Sequence, residues 1–124
     1  MPKLRSTAPT FLVPDVAATA EWYERNLGFH ASFFPKSPPF GYASLQRDGV
    51  EIMLLRLEGY RKPQVVRLEG VWDAYIRMQG LREFYDEVRS RISLKSELTR
   101  RSYGDTEFEV ADPNDYILVF GESI

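Results

Sequence analysis

A repeat limits what this chain can fold into more than any other feature. Read by hydrophobic periodicity, the chain runs twice through the order strand, helix, strand, strand, strand, once up to about residue 60 and again from about residue 70. In the first pass Ala8 to Val13 reads as a strand, Pro14 breaks it, and Asp15 stands where a helix needs a capping oxygen. In VAATAEWYERNL the residues Val16, Ala20, Tyr23 and Leu27 recur at helical spacing, and Gly28 follows where a left-handed C-terminal residue is wanted. FHASFF (Phe29 to Phe34) predicts a second strand and Pro35, Pro38 and Pro39 a loop; YASLQR and VEIMLLR predict a hairpin turned at Asp48-Gly49.

The second pass repeats these signals in order. VWDAYIRM predicts a strand, and LREFYDEVRSRI a helix with Leu81, Phe84, Tyr85, Val88 and Ile92 on one face. LKSEL is expected as a strand, Thr99 to Asp105 as a polar loop, EFEVA as a strand, Asp112-Pro113-Asn114-Asp115 as a turn and YILVF as the last strand. Trp22-Tyr23-Glu24 matches Phe84-Tyr85-Asp86, and the turn residues Asp48 and Asp112 follow those tyrosines by 25 and 27 residues. The expectation is an α+β fold of two tandem βαβββ modules in one domain, 1–124: module 1 about 4–60, a charged linker about 60–69, and module 2 about 70–124.

Alternation along a strand sends successive side chains to opposite faces. A helix covers one face of each sheet, so the other faces are expected to form two curved mixed sheets around a cleft, with the helices outside. Ala8, Thr10 and Leu12 should face that cleft, with Glu51, Met53 and Leu55, then Asp73, Tyr75 and Arg77, then Glu107 and Glu109, and Ile117 and Val119. The intervening Phe11, Val13, Ile52, Leu54, Ala74, Ile76, Phe108, Val110, Leu118 and Phe120 should pack on the helices.

Composition removes several function classes. Across 124 residues the formal charge is −2, so there is no basic stripe of the kind that displaces counterions from phosphates, and no nucleic-acid partner is expected. With no cysteine, thiolate nucleophiles, disulfides and Cys-based zinc sites drop out. MPKLRSTAPTFLVPD lacks the apolar run of a signal peptide, and no stretch approaches the ~20 apolar residues a membrane span needs. The expectation is a cytoplasmic protein without a membrane partner. No glycine-rich phosphate loop or GxSxG elbow occurs.

FLVPDVAATAEWYERNLGF opening one half and DPNDYILVFGE closing the other, within the duplicated βαβββ order, resemble the vicinal oxygen chelate superfamily of glyoxalase I, extradiol dioxygenases and bleomycin resistance proteins. The resemblance implies a divalent metal held by one ligand from each of four strands, commonly His and Glu in each half. Those places fall here on Ala8, Met53, Asp73 and Val119, of which only Asp73 can bind a metal. TAEWYERNLGF, GYASLQRDGVEIML, YIRMQGLREFYDEV and DPNDYILVF are closer to the metal-free, dimeric bleomycin resistance proteins. That likeness implies a homodimer that sequesters a small-molecule ligand, with no cofactor, no metal and no catalytic residue. A metal-dependent lyase, isomerase or dioxygenase with displaced ligands is the alternative, and a purely structural or regulatory scaffold a third.

The candidate binding residues are Thr10, Tyr42, Glu51, Met53, Asp73, Tyr75, Glu107 and Val119. Tyr42 falls where the bleomycin-binding relatives carry a stacking aromatic; Tyr75 and Tyr103 are lesser aromatic candidates. Phe33, Phe34 and Phe40 read either as packing or as a dimer surface, and His30 as a surface residue. Glu51, Asp73, Glu107 and Glu109 outnumber Arg77 on the cleft faces, which favours a cationic guest unless Arg77 and Arg56 neutralise them.

Overall fold

Asp15 sets where the first helix begins. Its backbone is extended, φ −135° and ψ 100°, and its carboxylate accepts from the amide of Ala18 at 3.0 Å, so α1 (Val16–Leu27) starts directly after β1 (Thr10–Val13). The helix ends at Gly28, φ 72° and ψ 21°, where the Arg47 guanidinium donates to the Leu27 carbonyl at 2.7 Å. Then follow β2 (His30–Phe34), β3 (Tyr42–Arg47) and β4 (Val50–Arg56). Asp48 and Gly49 both take positive φ, 50° and 86°, as a two-residue type I′ hairpin turn requires.

The computed structural model describes residues 1–63, 71–94 and 96–123, and the chain divides into two compact units, residues 1–61 and 62–124. The unit boundary falls in the expected linker, whose positions 64–69 lie outside the described residues. In the first unit the sheet order is β1-β4-β3-β2, with β1 parallel to β4 and the other pairs antiparallel. α1 packs on β2, β3 and β4. Val16, Ala20, Tyr23 and Leu27 are buried there with Phe11, Val13, Leu45, Ile52 and Leu54. Each large side chain so buried contributes about 1.5–3 kcal/mol.

The second unit repeats the plan: β5 (Ala74–Arg77), α2 (Leu81–Arg89), β6 (Thr99–Arg100), β7 (Asp105–Ala111) and β8 (Ile117–Ser123) give the order β5-β8-β7-β6, with β5 parallel to β8. Leu81, Phe84, Tyr85 and Val88 form the buried face of α2. Phe84 meets Phe120 edge-on with ring centroids 5.0 Å apart, and Tyr85 meets Phe108 at 5.2 Å. The Glu122 carboxylate accepts from the amide of Leu81 at 3.0 Å, capping α2 from β8. Asp112 holds the last turn: its Oδ1 accepts from the amides of Asn114 at 2.8 Å and Tyr116 at 3.0 Å.

Several elements differ from the sequence reading; β1 begins at Thr10 and not at Ala8, and β8 runs Ile117–Ser123 where 116–120 was expected. The strand expected over VWDAYIRM is confined to Ala74–Arg77, and α2 stops at Arg89, leaving Ile92 half-buried in the turn beyond it. The described residues of LKSEL form no strand; the pairing strand is Thr99–Arg100, inside the stretch expected as loop, and β7 already begins at Asp105. The cause is a tight turn over residues 101–104, where Gly104 has φ 101° and the Arg101 amide donates to the Asp105 carbonyl at 2.8 Å. That turn sets Thr99 opposite Glu107 and Arg100 opposite Thr106, so only residues next to it can pair.

Gly28 is a stringent position because an added Cβ would lie 2.7 Å from Arg47 Nη1 in a left-handed backbone. Gly28→Ala is expected to lower stability by about 1–2 kcal/mol in denaturant titrations. Gly41→Ala, which meets nothing within 4 Å, should change stability by under about 0.5 kcal/mol.

Candidate functional site

In each unit the helix occupies one sheet face, and the face turned the other way carries the side chains available to a ligand. On the first sheet, register places Leu12, Leu55, Tyr42 and Phe34 side by side across β1, β4, β3 and β2. Phe34 is 71% exposed and Leu55 45%, so this row leaves apolar surface in water. The next row is Thr10, Met53, Ser44 and Ser32, and beyond it Glu51, Gln46 and His30. Ser44 Oγ donates to Glu51 at 2.5 Å and accepts from Gln46 Nε2 at 3.1 Å, a small polar chain beside the apolar row.

The corresponding face of the second sheet is polar. Arg77, Gly121, Glu107 and Thr99 form one row, Tyr75, Val119 and Glu109 another, and Asp105 lies two residues from Glu107 on the same side of β7. The Tyr75 hydroxyl lies 2.7 Å from Asp105 Oδ2 and 2.9 Å from Glu107 Oε2; with one hydrogen it donates to one of them at a time. Arg77 donates to Asp105 at 2.6 Å, Arg101 Nε to Glu107 at 3.0 Å, and the Tyr103 hydroxyl to Glu107 at 2.6 Å. Asp105 and Glu107 are only 5% and 2% exposed, and among the described residues no buried side-chain nitrogen or oxygen lacks a partner.

Gly121 makes this network possible. A Cβ built there would stand 2.1 Å from the Tyr75 hydroxyl oxygen, so the phenol lies in the space a side chain would fill. Bonds from Tyr75 and then Arg77 hold the Asp105 carboxyl below the usual carboxylate range. Burial, then the bonds to Asp105 and Glu107, push the Tyr75 phenol far above its ordinary value. Loss of water at the Tyr103 hydroxyl and its bond to Glu107 raise that phenol to about 12.

Thr10, Tyr42, Glu51 and Met53 therefore share one face of the first sheet, and Tyr75, Glu107 and Val119 one face of the second. Glu107 is nearly buried and Val119 wholly so, 0% exposed. Asp73 precedes β5, and its Oδ2 accepts from the Ile117 amide at 2.8 Å with Lys62 Nζ 3.7 Å away. The anticipated phenylalanine cluster divides: Phe33 stacks on Phe40 at 4.3 Å, while Phe34 stands on the opposite face of β2. Sequence reasoning left Asp105 in a loop and passed over Arg101, Gly121 and Ser44. The alternation Asp105, Glu107, Glu109 in DTEFEV was the available signal.

The four places where the resemblance puts metal ligands do not fit a divalent ion. Ala8, Met53 and Val119 offer no oxygen or nitrogen donor, and the Asp73 carboxylate is engaged by an amide and an ammonium group. Among the described residues no group of three or more His, Cys, Asp or Glu is placed to hold a metal, and no helix is long and apolar enough to cross a membrane. A cavity of about 610 Å³ lies between the end of α2 and residues 90–94, 96 and 97, and none of the expected binding residues line it.

The family model described as Glyoxalase/Bleomycin resistance protein/Dioxygenase superfamily matches residues 6–120. Among solved structures, a glyoxalase-related enzyme from Clostridium phytofermentans superposes with TM-score 0.78 at 16% identity, covering 98% of this chain and 97% of the other. The bleomycin-binding protein of bleomycin-producing Streptomyces verticillus, solved with copper(II)-bleomycin, gives TM-score 0.71 at 18% identity, covering 97% of each chain. A bleomycin resistance determinant encoded on the transposon Tn5 gives TM-score 0.72 at 22% identity, covering 97% of this chain and 98% of that one. At such identities the likeness establishes the fold. No curated protein matches the chain.

Two titrations test the polar face. The difference in absorbance at 295 nm between the wild type and Tyr103→Phe should show a phenol ionising at about 12. Its folded value lies above the ordinary ~10, so the stabilisation it supplies is present below pH ~10 and fades as the pH climbs from there through the folded value. Asp105 has the opposite sign: its folded value is depressed, so its contribution is complete above pH ~4 and is lost as acid takes the pH down through that value. Asp105→Asn should flatten the acid-side loss of stability below pH ~4, read by denaturant midpoints across that range.

Proposed function

Because the chain belongs to the glyoxalase/bleomycin resistance protein/dioxygenase superfamily, we propose that it is a metal-free binding protein that holds a hydrophobic or cationic aromatic compound, such as an antibiotic, without transforming it. It does so in the cytoplasm as a homodimer. The observation that carries this reading is the loss of donor chemistry at the four places where the family's enzymes hold their ion: Ala8, Met53 and Val119 cannot ligate, and Asp73 is committed to Ile117 and Lys62. Without a Lewis acid, a bound guest lacks the group that would polarise it.

The apolar row of Leu12, Leu55, Tyr42 and Phe34 supports the same reading, since a flat aromatic guest covers exposed apolar surface at about 25 cal/mol per Å². Thr10, Met53 and Glu51 border it, the first two as packing surface and Glu51 as an acceptor already oriented by Ser44. On the second unit Tyr75 and Glu107 belong to a separate polar candidate surface. The solved bleomycin-binding protein from Streptomyces verticillus lends the guest class by analogy of fold.

Calorimetric titration with a bleomycin-type glycopeptide and a panel of planar aromatic antibiotics tests the proposal. Binding is expected to weaken about tenfold in Tyr42→Ala, the loss of one stacked aromatic surface. No heat with any compound at about a tenth-millimolar, a concentration that detects affinities of roughly −5 kcal/mol, sinks it. Elemental analysis of protein purified without chelators separates the readings: a stoichiometric transition metal makes the chain a metal-dependent enzyme instead.

A further inference from the structure

Arg77 is an unusual partner for a buried carboxylate. Its side chain is 70% exposed while that of Asp105 is 7% exposed, so one end of the ion pair is built into the sheet and the other lies on its surface. The guanidinium rests over the Tyr75 ring, 5.0 Å from its centroid, and donates to Asp105 at 2.6 Å. The seat beneath it does not depend on Arg77. Tyr75 is placed by the missing side chain at Gly121 and by its hydroxyl, which meets both Asp105 and Glu107. Glu107 has its own cation in Arg101 and a second phenol in Tyr103.

An aromatic face backed by a desolvated carboxylate is the environment that recognises an organic cation. We infer that Arg77 is an internal stand-in for a guest's cationic group: it occupies the seat formed by the Tyr75 ring and Asp105, and an alkylammonium or guanidinium group of a ligand takes its place. This deepens the proposed function and rests on it for the identity of the site. The pair is lopsided: its arginine end lies in water, where such a contact is weak, while its carboxylate end is buried and needs a cation of some kind.

The charges around the seat agree. Asp105, Glu107 and Glu109 share the face with Arg77 and Arg101, so an incoming anion meets an excess of carboxylates once Arg77 is displaced, and an incoming cation restores the balance. Arg77 can leave at small cost because its contacts are the Asp105 bond and the Tyr75 face, and its head already lies in water. Arg77 thereby sets a threshold, admitting only cations that hold the seat better than it does.

Phenylguanidinium and its neutral isostere phenylurea are the probes, titrated by calorimetry against the full chain. Arg77→Ala should bind phenylguanidinium about tenfold more tightly than the wild type, the scale of one displaced cation–π and charge-assisted contact, with phenylurea unchanged. Arg77→Ala/Asp105→Asn should lose that gain. In the wild type, the Arg77 Nε–H resonance should shift on adding phenylguanidinium, a readout that stands even if the double variant fails to fold. Equal or weaker binding by Arg77→Ala, or an equal gain for phenylurea, overturns the inference. If planar antibiotics do not bind but Arg77→Ala gains phenylguanidinium, the proposed function fails and the seat stands.

Discussion

Everything in each unit follows from one helix lying on one face of a four-stranded sheet. α1 buries Val16, Ala20, Tyr23 and Leu27, and α2 buries Leu81, Phe84, Tyr85 and Val88. Once that face is spent on the core, the period of two along a strand leaves every second side chain on the other. A register slip of one residue would take Phe108 and Val110 off the helix and set Glu107 and Glu109 beneath it, stripping water from their charges. The free faces are therefore as tightly specified as the cores.

The two units have the same strand order and the same parallel pair, yet they put opposite chemistry on the free face. The first exposes a row of leucine, leucine, tyrosine and phenylalanine across its strands; the second gathers two carboxylates, two guanidiniums and two phenols. The backbone plan repeats while the outward side chains differ. Gly121 shows how small the enabling change can be: one absent Cβ admits a phenol that organises both acids.

The side chains at the family's metal positions and the organised polar face bear on the same question, what a guest would meet. A metal site draws its reactivity from an ion with an open position, and here the matching places hold aliphatic or thioether side chains or a committed carboxylate. On the second unit, by contrast, the buried carboxylates are held by phenols and guanidiniums of the same unit, and among the described residues no buried side-chain nitrogen or oxygen lacks a partner.

The sequence by itself determined the elements and their faces. Asp15, Gly28 and Asp48-Gly49 act through the backbone of their nearest neighbours, and periods of 3.6 and 2 are written in adjacent residues, so both helices, the first hairpin and the buried set of β1, β4, β7 and β8 were legible. Thr10, Met53, Glu51, Tyr42, Tyr75 and Glu107 could be assigned to the faces away from the helices for the same reason, but the burial of Glu107, Ile117 and Val119 there could not. Only tertiary structure decided what those side chains do there. The bonds of Tyr75 to Asp105 and Glu107, and of Arg77 to Asp105, join residues 30, 32 and 28 positions apart, and they exist because β5 and β7 flank β8 at one register over a glycine. Likewise the turn over residues 101–104 sets Thr99–Arg100 as the edge strand, because hydrogen-bond reach across a tight turn selects the residues next to it.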